Sequence, residues 1–181
     1  MVWVGLGSST AIHAASEAQR SETQMHGAAE LSRALLDETN RVRRIHGRRP
    51  LQRRSELEAA AGDQSEFMAL WMTVQHRSLF RGQATPLDRV QRRGLYLQNG
   101  WSISENVASI ALGANPTEFP PERIAAMLVR QWMESTGHRD ALLDRDATHF
   151  GGAVRLAKTF GGGWAAYGTQ VFLKAGSRFG A

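Results

Sequence analysis

The sequence predicts an α+β fold, and three observations lead there. Apolar residues recur at helical spacing over 28–46 and from Ser55 to Trp71. A third such run, Ile124, Leu128 and Trp132, lies well downstream, and two segments with strand-like alternation close the chain around Gly161-Gly162-Gly163. Helices thus come first and a hairpin comes last, an α+β order. At 181 residues the chain is long enough for one domain, and chains of this size bury about 70% of the surface they expose unfolded. It has no cysteine, which excludes disulfides, a thiolate metal site and a Cys nucleophile without fixing the compartment.

In the first helix, Leu31, Leu35, Val42 and Ile45 share a stripe, and Gly47 stands where a helix-ending glycine is expected. Across that end, Arg41, Arg43, Arg44, Arg48, Arg49, Arg53 and Arg54 put seven arginines in fourteen positions. No aromatic cluster or docking motif accompanies them, so a solvated helix face is favoured over a specific nucleic-acid site. Ser55 and Glu58 have the spacing of a capping box for the second helix, whose stripe is Leu57, Ala60, Ala61, Gln64, Met68 and Trp71. That helix frays around Thr73, and His76 follows in a polar loop.

Leu87 to Leu97 reads as a short helix or turn ending near Gly94, and Asn99-Gly100 is a turn. Ser104-Glu105-Asn106-Val107-Ala108 sets an acid and an amide among apolar residues, which is awkward for a core strand because a buried carboxylate needs partners. Pro120-Pro121 opens the third helix. Gly137 suits the position past a helix C-terminus where φ turns positive, which leaves His138 aimed by a turn. Ala141-Leu142-Leu143 adds one helical turn, and His149 reads as a surface residue. In the hairpin, Gly152 to Leu156 pairs with Trp164 to Phe172, with Tyr167, Thr169 and Val171 on one face and Gly168, Gln170 and Phe172 on the other.

The net charge of +5, with Lys158 and Lys174 as the only lysines, favours anionic neighbours without choosing among phosphates, acidic polysaccharide and lipid head groups. No apolar run reaches the ~18 residues of a membrane-spanning helix. Residues 1–27 read as a tail or a short apolar leader, 28–174 as the domain, and 175–181 as a basic tail.

His76, Glu105, Glu134 and His138 all lie at element ends, where segments distant in sequence can build one cleft. Two imidazoles with one or two carboxylates suit a divalent ion such as zinc, or a His/Glu acid–base pair. No HExxH or Ser/His/Asp signature occurs.

Five segments in order carry a resemblance: Asn40-Arg41-Val42-Arg43 with Arg49-Pro50-Leu51, His76-Arg77-Ser78, Ser104 to Ala108, Trp132 to Arg139, and Tyr167 to Phe172. Together they resemble the CAP superfamily (SCP-like or PR-1-like domains) in its bacterial, cysteine-free form. The resemblance implies a three-layer α-β-α sandwich with an open cleft, in proteins exported from the cytoplasm. It implies that His76, Glu105 and His138 occupy metal-site positions, with zinc or another divalent cation held weakly. The family's second acid falls at Ser135 here, and Glu134 is one residue early, a rotation of about 100° on a helix; Ser104 replaces a glycine. The expectation is an extracytoplasmic ligand-binding module with lipid, sterol or cell-envelope partners. Two alternatives stand beside it: a metal-assisted hydrolase with Glu105 or Glu134 as catalytic base, and a basic adhesive module for anionic polymers or lipid surfaces.

Overall fold

The computed structural model of the protein describes residues 27–174. All but the last residue of the possible tail or leader at residues 1–27, and the basic tail from residue 175, lie outside the described residues. Helix α1 spans Ala28–Ile45 and buries Leu31, Leu35 and Val42 as the periodicity requires, but Ile45, the last member of the expected stripe, is exposed where the helix ends. Gly47 follows at φ +66°, a conformation glycine adopts without the Cβ penalty. Asn40 then pins the next loop, its side chain accepting from Leu51 N at 2.7 Å and donating to Leu51 O at 3.0 Å.

Two residues, Gln52–Arg53, form β1, a short parallel partner of the later strand β3 that the sequence did not announce. Helix α2, Ser55–Trp71, starts one residue earlier than expected relative to its cap. Arg54 is the N-cap and makes no side-chain cap, so the Ser55/Glu58 capping box does not form. Glu58 instead takes Arg53 in an ion pair, and Ser55 bonds to Glu56. Helix α3, Pro86–Arg92, does have a box, between Thr85 and Asp88.

Strand β2, Ser102–Gly113, contains the acid and amide that looked awkward for a strand. It tolerates them because each, although buried, has hydrogen-bond partners; the sheet runs β1-β3-β4-β2, with β3 at Ala147–Lys158, β4 at Trp164–Lys174 and β2 at an edge. Between β2 and β3 stand a 3₁₀ turn at Pro116–Glu118, helix α4 at Pro121–Glu134, and helix α5 at Thr136–Leu142. The β3–β4 pair confirms the hairpin, with β3 longer than expected and with the alternation of β4 as read from sequence.

That alternation separates two apolar layers. On one face, Ala108, Leu112, Phe150, Val154, Ala166 and Phe172 pack against α1, α4 and α5, with Leu35, Leu128 and Trp132 fully buried. On the other, Val107, Ala153, Tyr167, Val171 and Leu173 pack against α2 and α3. The result is the three-layer α-β-α sandwich. Gly151 lets α2 approach β3 closely, since a Cβ there lands on the backbone of Leu57 and Glu58. His149 is half-buried on β3, with Thr148 Oγ1 2.9 Å from its Nδ1, rather than a bare surface residue.

Candidate functional site

The alternation of the edge strand β2 also builds the site. Glu105 points to the α2/α3 layer and Asn106 to the α1/α4/α5 layer, because their partners on β4 are Val171 and Gln170. Each captures a histidine segment from its own side.

On the first side, the Glu105 carboxylate is 1% exposed and both its oxygens are engaged. Oε2 accepts from Arg89 Nη2 at 2.5 Å, and the Arg89 side chain is itself fully buried. Oε1 stands 3.1 Å from His76 Nδ1. A carboxylate oxygen only accepts, so Nδ1 carries the hydrogen, and a neutral ring then keeps its lone pair on Nε2. His76 is 54% exposed, a ring in water anchored to a group that is not. Arg89 braces the same loop further by donating to the carbonyls of His76 (3.3 Å) and Gln83 (2.9 Å). Gln64, buried on α2, holds the loop from below through Gln75 O at 2.5 Å.

On the second side, Asn106 Nδ2 donates to His138 O at 2.9 Å and to Gln170 Oε1 at 3.1 Å. Gln170 Nε2 continues to Thr39 Oγ1 at 2.8 Å, and Thr39 to Leu35 O at 2.6 Å. A buried amide relay thus ties the His138 backbone to α1. The break that aims His138 is not at Gly137, whose φ is not positive. Ser135 is extended (φ −101°, ψ 126°), ending α4 and capping α5, so that His138 is the third residue of a new helix. Burial first, and the nearby His76 second, hold the His138 imidazole below the ordinary histidine value.

Glu134 is elsewhere. Its carboxylate is 63% exposed and takes Arg130 Nε at 3.0 Å, one turn back along α4. The expectation that it serves the cleft as a second acid or base is corrected: the one-residue offset turns it onto the outer face of α4. Among the described residues, no three His, Cys, Asp or Glu side chains are grouped to hold a metal ion. His76, His138 and Glu105 accordingly do not fit a three-ligand zinc centre, since the carboxylate is spent on a buried guanidinium. The orphaned buried atoms nearby, Arg89 Nε and Asn106 Oδ1, add no metal-type donor of the imidazole or carboxylate kind.

The arginine-rich stretch is also less free than its composition suggests. Arg41, Arg53 and Arg54 pair with Glu38, Glu58 and Glu56. Arg43 is fully buried and donates to Arg49 O, Leu142 O and Asp144 O, and Arg48 donates to Leu143 O. Sequence reasoning missed Arg89, which sat in an Asp-Arg pair of a short helix with nothing local to mark it as buried. It missed the Thr39–Gln170–Asn106 relay for the same reason.

A family model described as CAP, the cysteine-rich secretory protein family, matches residues 36–172. Among curated proteins none matches significantly. Similar solved structures include an extracellular SCP-domain protein of Bacillus anthracis, at 23% identity and TM-score 0.59, over 81% of this chain and 41% of that one. An outer surface protein of Borrelia burgdorferi is similar at 22% identity and TM-score 0.54, over 78% of this chain and 90% of that one. A cysteine-rich secretory protein of Staphylococcus aureus follows at 20% identity and TM-score 0.54, over 83% and 40%. The chain thus spans well under half of the first and third of these proteins. No helix among the described residues is long and apolar enough to cross a membrane.

Proposed function

Because the chain belongs to the cysteine-rich secretory protein (CAP) family, we propose that it is an extracytoplasmic binding module whose cleft presents the His76 and His138 imidazoles to a ligand. One observation carries this reading: both oxygens of Glu105 are already occupied, by Arg89 and by His76. A general base must come within hydrogen-bond reach of the proton it takes, and the Glu105 carboxylate, 1% exposed between a buried guanidinium and the His76 ring, is closed off from the solvent side. Glu105 acts instead as an orienter, fixing the His76 tautomer and ring. The hydrolase alternative also lacks its second acid, with Glu134 bound to Arg130 on the outside.

A divalent ion such as zinc would be held by His76 and His138, with Glu105 behind His76 in the way carboxylates support metal-bound histidines. Such binding is weak and optional, because zinc in closed or catalytic sites takes three or four protein ligands. When bound, the ion would supply an electrophilic anchor for a ligand oxygen. Export is supported by the extracellular and outer-surface descriptions of the similar structures. A lipid, sterol or cell-envelope ligand remains the class expected for the cleft.

Calorimetric titration of zinc into the native protein, His76→Ala, His138→Ala and Glu105→Gln tests the assignment. Weak single-site binding, abolished by either histidine variant and reduced but measurable in Glu105→Gln, supports it. Tight binding that Glu105→Gln abolishes as completely as the histidine variants would make Glu105 a ligand and overturn it.

A further inference from the structure

Five of the eight large hydrophobic side chains exposed among the described residues gather at one end of the molecule: Leu70, Trp71, Val74, Leu79 and Phe160. Single exposed apolar residues are ordinary, but a cluster calls for an occupant. Phe67 is its hub, with the Trp71 ring tilted at 6.4 Å and the Phe80 ring edge-on at 5.3 Å. Leu70 shares a recess of about 300 Å³ with Leu156 and Ala157 of β3. Phe160, 96% exposed, stands three residues beyond Ala157 in the β3–β4 turn. At the end of α2, Met72 is the one non-glycine residue described with positive φ, 50°, and this turn leaves Trp71 at the surface.

Charge says what covers the cluster. Residues 67–87 and 147–174, which build it, contain no Asp or Glu, while Arg77, Arg81 and Lys158 are exposed among them. Two acids border it, exposed Glu66 lining the recess beside Arg155 and Asp88 near Arg77, so that Arg77, Arg81, Arg155 and Lys158 outnumber them two to one. A second copy docked face to face would set like charges against each other. Aromatic and aliphatic tips on loop ends, rimmed by more cations than anions, match the boundary of an anionic bilayer: the tips enter the acyl edge and the cations meet lipid phosphates. We propose that this end of the domain, built by the α2 terminus, the loop carrying Leu79 and the β3–β4 turn, docks on an anionic lipid surface. The proposal does not depend on the chemistry of the cleft.

Co-sedimentation of the full chain with vesicles of phosphatidylcholine alone, or of phosphatidylcholine with phosphatidylglycerol, tests it. The native protein binds the phosphatidylglycerol vesicles and releases them as salt rises. Trp71→Ser with Phe160→Ser, and separately Arg81→Glu with Lys158→Glu, each weaken binding by about tenfold or more. The fully exposed Phe160→Ser alone guards against a folding defect, and circular dichroism checks each variant. Ile45→Ser, an exposed apolar side chain at the end of α1 in the other helical layer, binds as the native protein does. The proposal is overturned by equal binding to phosphatidylcholine alone, by patch variants that bind undiminished, or by no vesicle binding at all. It is equally overturned if the native protein self-associates in sedimentation velocity and Phe160→Ser abolishes that, which would make a second copy the occupant.

Discussion

Replacing Arg89 with methionine removes a buried charge and keeps most of its volume. The Arg89 and Glu105 side chains are 0% and 1% exposed and meet at 2.5 Å, so neither is solvated in the native state. Deleting the guanidinium leaves Glu105 Oε2 and the carbonyls of His76 and Gln83 without the donor that served them. Breaking a buried ion pair from one side costs about 3–5 kcal/mol, against a total stability of about 5–15 kcal/mol for a domain. The exposed Arg130–Glu134 pair is the internal control: removing it changes stability by less than about 1 kcal/mol. Urea unfolding followed by far-ultraviolet circular dichroism reads both. The double variant Arg89→Met with Glu105→Gln recovers part of the loss, because the surviving partner is no longer a buried, unpaired charge. A cost for Arg89→Met no larger than that of Arg130→Ala would refute the role of the pair as the brace beneath the cleft.

Gly151→Ala drives a methyl into the backbone of Leu57 and Glu58 and destabilises by about 3 kcal/mol or more, whereas Gly168→Ala meets movable Leu128 methyls at 2.7 Å and costs less; thermal melts rank the two. A reversed ranking contradicts the close α2–β3 approach. His149 is held below the ordinary histidine value by burial first and by the Arg54 guanidinium second, with Glu56 opposing. A histidine depressed in the folded state contributes stability above its unfolded value and loses it as pH falls through about 6.5 toward the folded value. His149→Asn therefore flattens, without abolishing, the decline of melting temperature below neutral pH, since His138 is depressed with the same sign. An unchanged slope in the variant contradicts the assignment.

What was legible in the sequence is what local periodicity carries. The stripe of α4, the stripes of α1 and α2 up to their last turns, and the two faces of β4 are set by neighbours within one turn or one pleat and match the sequence reading; Ile45 and Trp71, read as the ends of the α1 and α2 stripes, are exposed instead because each helix stops there and nothing among the described residues packs over its last turn. Features decided by distant partners were not. Two residues become β1 only because β3 runs beside them, and Glu105 sits buried in a strand only because Arg89 waits beneath it. The capping box at Ser55 failed because Arg53 drew Glu58 away, and Gly137 was credited with a break that extended Ser135 makes. His76 and His138 were singled out together through their places at element ends and through the resemblance rather than through spacing. The buried groups that hold them were invisible because an arginine or an amide in the core leaves no periodic signature.

The central claim is that Glu105 is committed to holding His76 and is not offered to the cleft. Imidazole nitrogen resonances of His76, recorded above its titration range in ¹⁵N-labelled protein, read this directly. The account predicts a neutral ring with hydrogen on Nδ1, and a loss of that preference in Glu105→Ala. A ring protonated on Nε2 in the native protein, or a tautomer indifferent to Glu105→Ala, would contradict it.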